Sequence, residues 1–277
     1  LLSANRRSAS FFISEEKILP SRRVVISGVG LITPLGIGVE ETWRELCAGK
    51  SGIGEITRFD TSDFQTKIAG EVKDFRPEDF LTQKDARRTT TFIAYAVAAT
   101  RMALEDSGLV IDQSNADRVG VFTGCGLGGL ASLEETNRII ETRGPSRVSP
   151  FFIPMMIGNM AAGMISMQFG AKGPNACMAT ACAAGSHSIG DAFKLVQQGR
   201  ADGMIAGGVE SVITPSCIAG FNAMKALSTR NDAPQKASRP FDRDRDGFVV
   251  GEGSGIVILE TLEAARERGA HIYAEIC

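Results

Sequence analysis

Apolar, β-branched runs alternate along this chain with stretches whose apolar residues recur every three or four positions. Arg23-Val24-Val25-Ile26-Ser27-Gly28-Val29-Gly30 predicts a buried strand closed by glycines. Thr33-Pro34-Leu35-Gly36 reads as a turn, and residues 39–48 as a helix stopped by Gly49. Residues 51–80 scatter glycine, aspartate and proline and read as irregular. Over 85–107 the recurrence of Phe92, Ala96, Ala99 and Ala103 predicts one helix ending at Gly108. Arg118–Gly124 predicts a second strand, which opens into Gly124-Cys125-Gly126-Leu127-Gly128-Gly129. Helices are predicted over 155–169 and from Cys182 to Gly199, strands over 202–211 and 255–260, and a short helix over 261–269. Residues 272–277 open another strand without continuing it, which predicts a fold running on past Cys277. Strands alternating with helices predict an α/β sheet with helices on its faces.

Composition changes this picture little. The 277 residues are 43% hydrophobic and 22% charged, the ordinary range of globular chains. A net charge of -2 and sparse basic clusters argue against nucleic acid as a partner. No apolar run approaches the ~20 residues that span a bilayer, so no membrane role is expected. Six cysteines without CxxC spacing, and two histidines, predict free thiols in a reducing compartment and no metal site. Arg243, Asp244, Arg245, Asp246 and Glu252 alternate in sign. They read as structural ion pairs, because the arginines would repel a cation. Residues 1–21 contain Arg6, Arg7, several serines and Phe11-Phe12. They read as an organelle transit peptide or a disordered tail, outside a folded domain over 22–277.

The candidate chemistry centres on Cys182. Thr180-Ala181-Cys182-Ala183-Ala184-Gly185 follows the turn-prone Gly173-Pro174-Asn175, and Ile189, Ala192, Phe193 and Val196 then repeat at helical spacing. The cysteine is therefore predicted in the first turn of a helix, after a short extended segment. Free N–H groups and partial positive charge there favour a thiolate, and one N–H can donate to a developing oxyanion. Small neighbours admit a substrate carbonyl. The local pattern alone leaves open a buried structural cysteine. His187 points about 140° away from Cys182 around such a helix, and His271 lies in a short connection. Neither completes a Cys–His pair.

The stretch from Gly173-Pro174-Asn175 to Thr180-Ala181-Cys182-Ala183-Ala184-Gly185 resembles the active-site signature of β-ketoacyl-[acyl-carrier-protein] synthases. Four other stretches resemble the same family in order and spacing. They are Val25–Gly30 with Thr33–Gly36; Ala206-Gly207-Gly208-Val209-Glu210; Ala226-Leu227-Ser228-Thr229-Arg230; and Phe241–Phe248 with Gly251-Glu252-Gly253. The resemblance runs from about Arg22 to Cys277, and the candidate transit segment points to the mitochondrial branch.

The resemblance implies a thiolase-like α/β fold with layers α/β/α/β/α, of which this chain supplies essentially the first half. It implies a homodimer in the mitochondrial matrix and a decarboxylative condensation that lengthens an acyl group by two carbons. Cys182 would carry the acyl group as a thioester. The substrates ride on the phosphopantetheine of acyl-carrier protein, and no cofactor is implied. Leu127 and Phe221 would line the acyl tunnel, with Phe152 and Ile153 closing it from the partner subunit. Lys84, Arg87, Arg88 and Lys225 would dock the acidic carrier protein, Lys84 and Arg88 sharing a helix face. The family's two catalytic histidines belong to its second half, past Cys277. The competing expectations are a non-catalytic short form that binds carrier protein or a full-length subunit, and a thiolase acting on coenzyme A esters.

Overall fold

The computed structural model describes residues 21–277. The predicted transit peptide or tail, apart from residue 21, lies outside the described residues.

The first predicted strand forms as β1, Val24–Thr33. It turns through Pro34-Leu35 into β2, Gly36–Ile37, with Thr33 paired to Gly36. Helix α1 covers Val39–Cys47. The irregular stretch holds only the two-residue strands β3, Gly54–Glu55, and β4, Ile68–Ala69, paired with each other. Then follow α2, Gln83–Ala86; α3, Thr91–Ser107; and β5, Val119–Gly124. Next come α4, Leu130–Arg143; α5, Phe152–Met156; α6, Met160–Phe169; and β6, Asn175–Met178. The chain continues through α7, Ala184–Gln197; β7, Gly203–Glu210; and α8, Pro215–Ala223. It ends in β8, Gly253–Thr261; α9, Leu262–Glu267; and β9, Ala274–Ile276.

Three expectations are corrected. The helix predicted over 85–107 is two helices. Thr89, Thr90 and Thr91 are poor helix formers in a row, and Thr90 takes an extended conformation as the N-cap of α3. Lys84 and Arg88 consequently share no continuous helix face, since α2 ends at Ala86. The helix predicted over 155–169 is likewise divided at Ile157-Gly158-Asn159.

The main sheet runs β2-β1-β8-β7-β5-β6, with β9 also on β1. Strands β5, β6 and β7 are parallel, whereas β8 is antiparallel to β7 and to β1. Both faces are covered. Val119, Val121, Ile205, Ile256 and Ile258 point toward α3 and α6, while Phe122, Met204, Ala206 and Leu259 point toward α7. Burial on both faces is why these strands read as unbroken apolar runs. Helix α3 is buried almost all round from Phe92 to Ala99. Its approach to β1 requires glycine: a Cβ at Gly28 or Gly30 would overlap the Ala103 or Ala99 carbonyl oxygen.

Candidate active site

The edge strand β6 delivers the chain to Thr180, and a short 3-10 turn over Ala181–Ala183 carries it into α7. Ala181 sits at φ 50°, a left-handed conformation that costs an L-residue about 1–2 kcal/mol. The corner it makes leaves Cys182 exposed in the 3-10 turn, two residues ahead of the α-helix and not within it as expected. Ala183, the N-cap of α7, offers no side-chain acceptor to the first-turn N–H groups. Those donors are free of side-chain competition for an incoming oxygen.

Three glycines set this helix start against the sheet. A Cβ at Gly124, the last residue of β5, would overlap the Ala184 carbonyl. A Cβ at Gly208 would lie 3.0 Å from Gly185 Cα. With glycine at all three positions, α7 begins directly on the ends of β5 and β7.

Cys182 lines a cavity of about 740 Å³. The walls come from the ends of β1, β5 and β7, the start of β8, and α8. Leu127 and Phe221 both line it. Phe221 packs edge-on to Phe248 with ring centres 5.2 Å apart. Phe152 and Ile153 do not line it. Both stand on α5, and Phe152 borders a separate cavity of about 350 Å³ beside Gly128 and Gly129.

The environment separates Cys182 from three other thiols. Burial, then the Glu210 charge, pushes the Cys125 thiol far up. Burial raises Cys177 and pushes Cys217 up to about 11. Cys47 and Cys277 are exposed but do not line the cavity.

Neither histidine lines the cavity. The Nδ1 of His187 is 3.2 Å from Thr180 Oγ1, and its Nε2 is 3.2 Å from Asp191. His271 stands edge-on to Tyr273. Lys84, Arg87, Arg88 and Lys225 are all exposed. Arg88 lies over the Phe151 ring at 4.7 Å, and Lys225 follows α8 at φ 54°. Of the charged residues read as structural ion pairs, Asp246 and Glu252 make them. Asp246 accepts from Arg239 and Ser228, and the buried Glu252 pairs with Arg58 and accepts from Ser211. Among the described residues no cluster of His, Cys, Asp or Glu is placed to hold a metal ion.

One residue of the site, Glu210, lies in the Ala206–Glu210 stretch that carries the resemblance but is given no role there. Glu210, at the end of β7, accepts from the backbone N–H groups of Gly126, Leu127 and Gly128 at 2.7, 2.9 and 3.0 Å. The Cys125 thiol donates to the same carboxylate at 3.4 Å.

The β-ketoacyl synthase N-terminal domain profile matches residues 21–265. The chain is 56% identical to 3-oxoacyl-[acyl-carrier-protein] synthase 2 of Synechocystis sp. over 93% of its length and 62% of the relative's. The Vibrio cholerae protein of the same name is 52% identical over the same shares. Among solved structures, a β-ketoacyl synthase from Burkholderia phymatum superposes with a TM-score of 0.83 at 35% identity, covering 92% of this chain and 63% of that one. A type II PKS acyl-carrier protein in complex with its ketosynthase bound to the hexaketide gives a TM-score of 0.80 at 33% identity, covering 92% and 62%. The chain thus spans about 62% of the length of the curated relatives it matches.

Proposed function

Because the chain belongs to the β-ketoacyl synthase family and has its thiolase-like α/β fold, we propose that the whole protein is a 3-oxoacyl-[acyl-carrier-protein] synthase of fatty-acid synthesis. The observation that carries this reading is the exposed Cys182, set by a strained corner at the start of α7 and facing a cavity of about 740 Å³.

The described residues supply the acyl-transfer half of the reaction. The Cys182 thiolate attacks the thioester carbonyl of an acyl group on the carrier protein's phosphopantetheine. Negative charge gathers on the carbonyl oxygen, where first-turn N–H groups of α7 donate to it. The intermediate collapses, the carrier thiolate leaves and takes a proton, and the acyl group remains on Cys182. Malonyl-carrier protein then loses CO2, and the resulting carbanion attacks the Cys182 thioester and expels the cysteine thiolate. The product is two carbons longer. This reading needs no resident cofactor. Leu127 and Phe221 support it as walls for the acyl chain. Phe152 and Ile153, exposed or half-buried on α5, are proposed to close the tunnel of a partner copy in a homodimer.

Lys84, Arg87, Arg88 and Lys225 are proposed to steer the acidic carrier protein. The basic and aromatic content of residues 1–21 supports a location in the mitochondrial matrix and the mitochondrial branch of the family. One observation favours a second reading, a non-catalytic chain that binds carrier protein or a full-length subunit: neither His187 nor His271 lines the cavity.

The test is to incubate the protein with acyl-[acyl-carrier protein] and map acyl groups by peptide mass spectrometry, with Cys182→Ser as control. Acyl transfer to Cys182, lost in the control, is the expected result. Acylation of a different cysteine overturns the site, and carrier-protein binding with no transfer favours the second reading.

A further inference from the structure

We infer that Glu210 is the latch that holds the glycine loop over the cavity, and so determines which acyl lengths reach Cys182. This rests on the proposed acyl occupancy of the cavity, and deepens it. The loop from Gly124 to Gly129 contains four glycines in six residues. Gly128 sits at φ 65°, a conformation open chiefly to glycine. Such a segment is the most conformationally free that a chain can contain.

Its one bulky side chain is Leu127, which lines the cavity yet is 53% exposed. Packing therefore does not fix where Leu127 stands, and its backbone must. Three successive N–H groups of that backbone converge on the Glu210 carboxylate. Converging N–H groups form an anion-binding concavity, and here the protein's own anion fills it. Hydrogen bonds to an ionised acceptor are roughly twice as strong as neutral ones. The fit is close: a Cβ at Gly126 would stand 3.0 Å from Glu210 Oε2. The carboxylate is anchored in turn by the rigid end of β7, where Glu210 is paired to Gly253 of β8. Glu210 also borders the cavity, but its carboxylate is taken up by the loop N–H groups and the Cys125 thiol. It is a positioning residue acting through Leu127.

The test uses the full chain and two thiol reagents of different length, methyl and decyl methanethiosulfonate. Each forms a disulfide with Cys182 and releases methanesulfinate, and peptide mass spectrometry separates Cys182 from the other cysteines. The readout is the ratio of decyl to methyl rates, which cancels any general change in thiol reactivity. Glu210→Gln is expected to raise that ratio by about tenfold, as the latch loses its charge-assisted bonds and the loop swings clear. Leu127→Ala should raise it as well, by removing the obstruction itself. Gly126→Ala keeps the carboxylate but crowds it, and should shift the ratio in the same direction, which covers the case in which Glu210→Gln does not fold. An unchanged ratio in a folded Glu210→Gln protein overturns the latch. A wild-type Cys182 that resists even the methyl reagent overturns the acyl-site reading itself, a different and distinguishable failure.

Discussion

At the residue scale, the protein places its thiols in distinct environments. Only a thiolate reacts appreciably with alkylating reagents, so a raised thiol pKa protects. Iodoacetamide at about pH 8 should label Cys182 with the exposed Cys47 and Cys277. Cys125, Cys177 and Cys217 should resist until the protein is denatured, and peptide mapping before and after urea distinguishes the sets. The corner before Cys182 makes a second prediction. Ala181→Gly relieves the left-handed strain and should leave stability unchanged or raise it by up to about 1 kcal/mol. Ala181→Val puts a β-branched side chain at that angle and should lose about 1–2 kcal/mol, measured by urea unfolding. Cys182 was legible from the sequence because its signature is local: small residues, then a helical repeat. The role of Glu210 was not, although its stretch carried the resemblance, because its partners are backbone amides more than eighty residues away, and amides carry no residue-specific pattern.

At the element scale, glycine has opposite meanings within a short stretch of structure. Gly124 carries the end of β5 onto the start of α7, and a methyl group there would meet the Ala184 carbonyl. Gly124→Ala should cost about 1–3 kcal/mol by overpacking, and should slow alkylation of Cys182 by moving the helix start. At Gly190, inside α7, a methyl group would meet nothing within 4 Å, so Gly190→Ala should stabilise by about 0.5–1 kcal/mol. Thermal melts of the two variants should shift in opposite directions. Elements buried on both faces of the sheet, such as β5, β7 and α3, were legible as apolar runs or repeats because burial dictated them. The breaks were not. The helix expected over 155–169 is interrupted around Gly158, which lies against Cys125, a contact that local pattern does not encode. Helix α4 was missed because only Thr136 of its fourteen residues is buried, so no core stripe marks it. Helix α8 does carry a signal in the sequence, Thr214 as N-cap followed by Pro215 in the first turn.

At the scale of the molecule, the site is assembled from the ends of β1, β5, β7 and β8, and the sheet must keep their register for the cavity to persist. Charge helps at the opposite end of the strands. Asp202, just before β7, accepts two bonds from Arg118, which precedes β5, and one from Arg22, which precedes β1. Its bonds to Arg118 lead in holding the carboxyl down to about 2, against an ordinary value of 3.8. The folded protein therefore binds this proton less readily than the unfolded chain. The stabilisation is fully present above the unfolded value and is lost as pH falls through the folded one. Because the carboxylate is 48% exposed, solvent screening limits its worth to about 1 kcal/mol or less. Asp202→Asn should lower the urea midpoint by a constant small amount from neutral pH down to about 4. Between about pH 4 and 2 the difference should shrink, and below that the two proteins should unfold alike. A gap that stays undiminished at the acid end would show that Asp202 stabilises the strand starts through packing and neutral hydrogen bonds, with its charge playing no part.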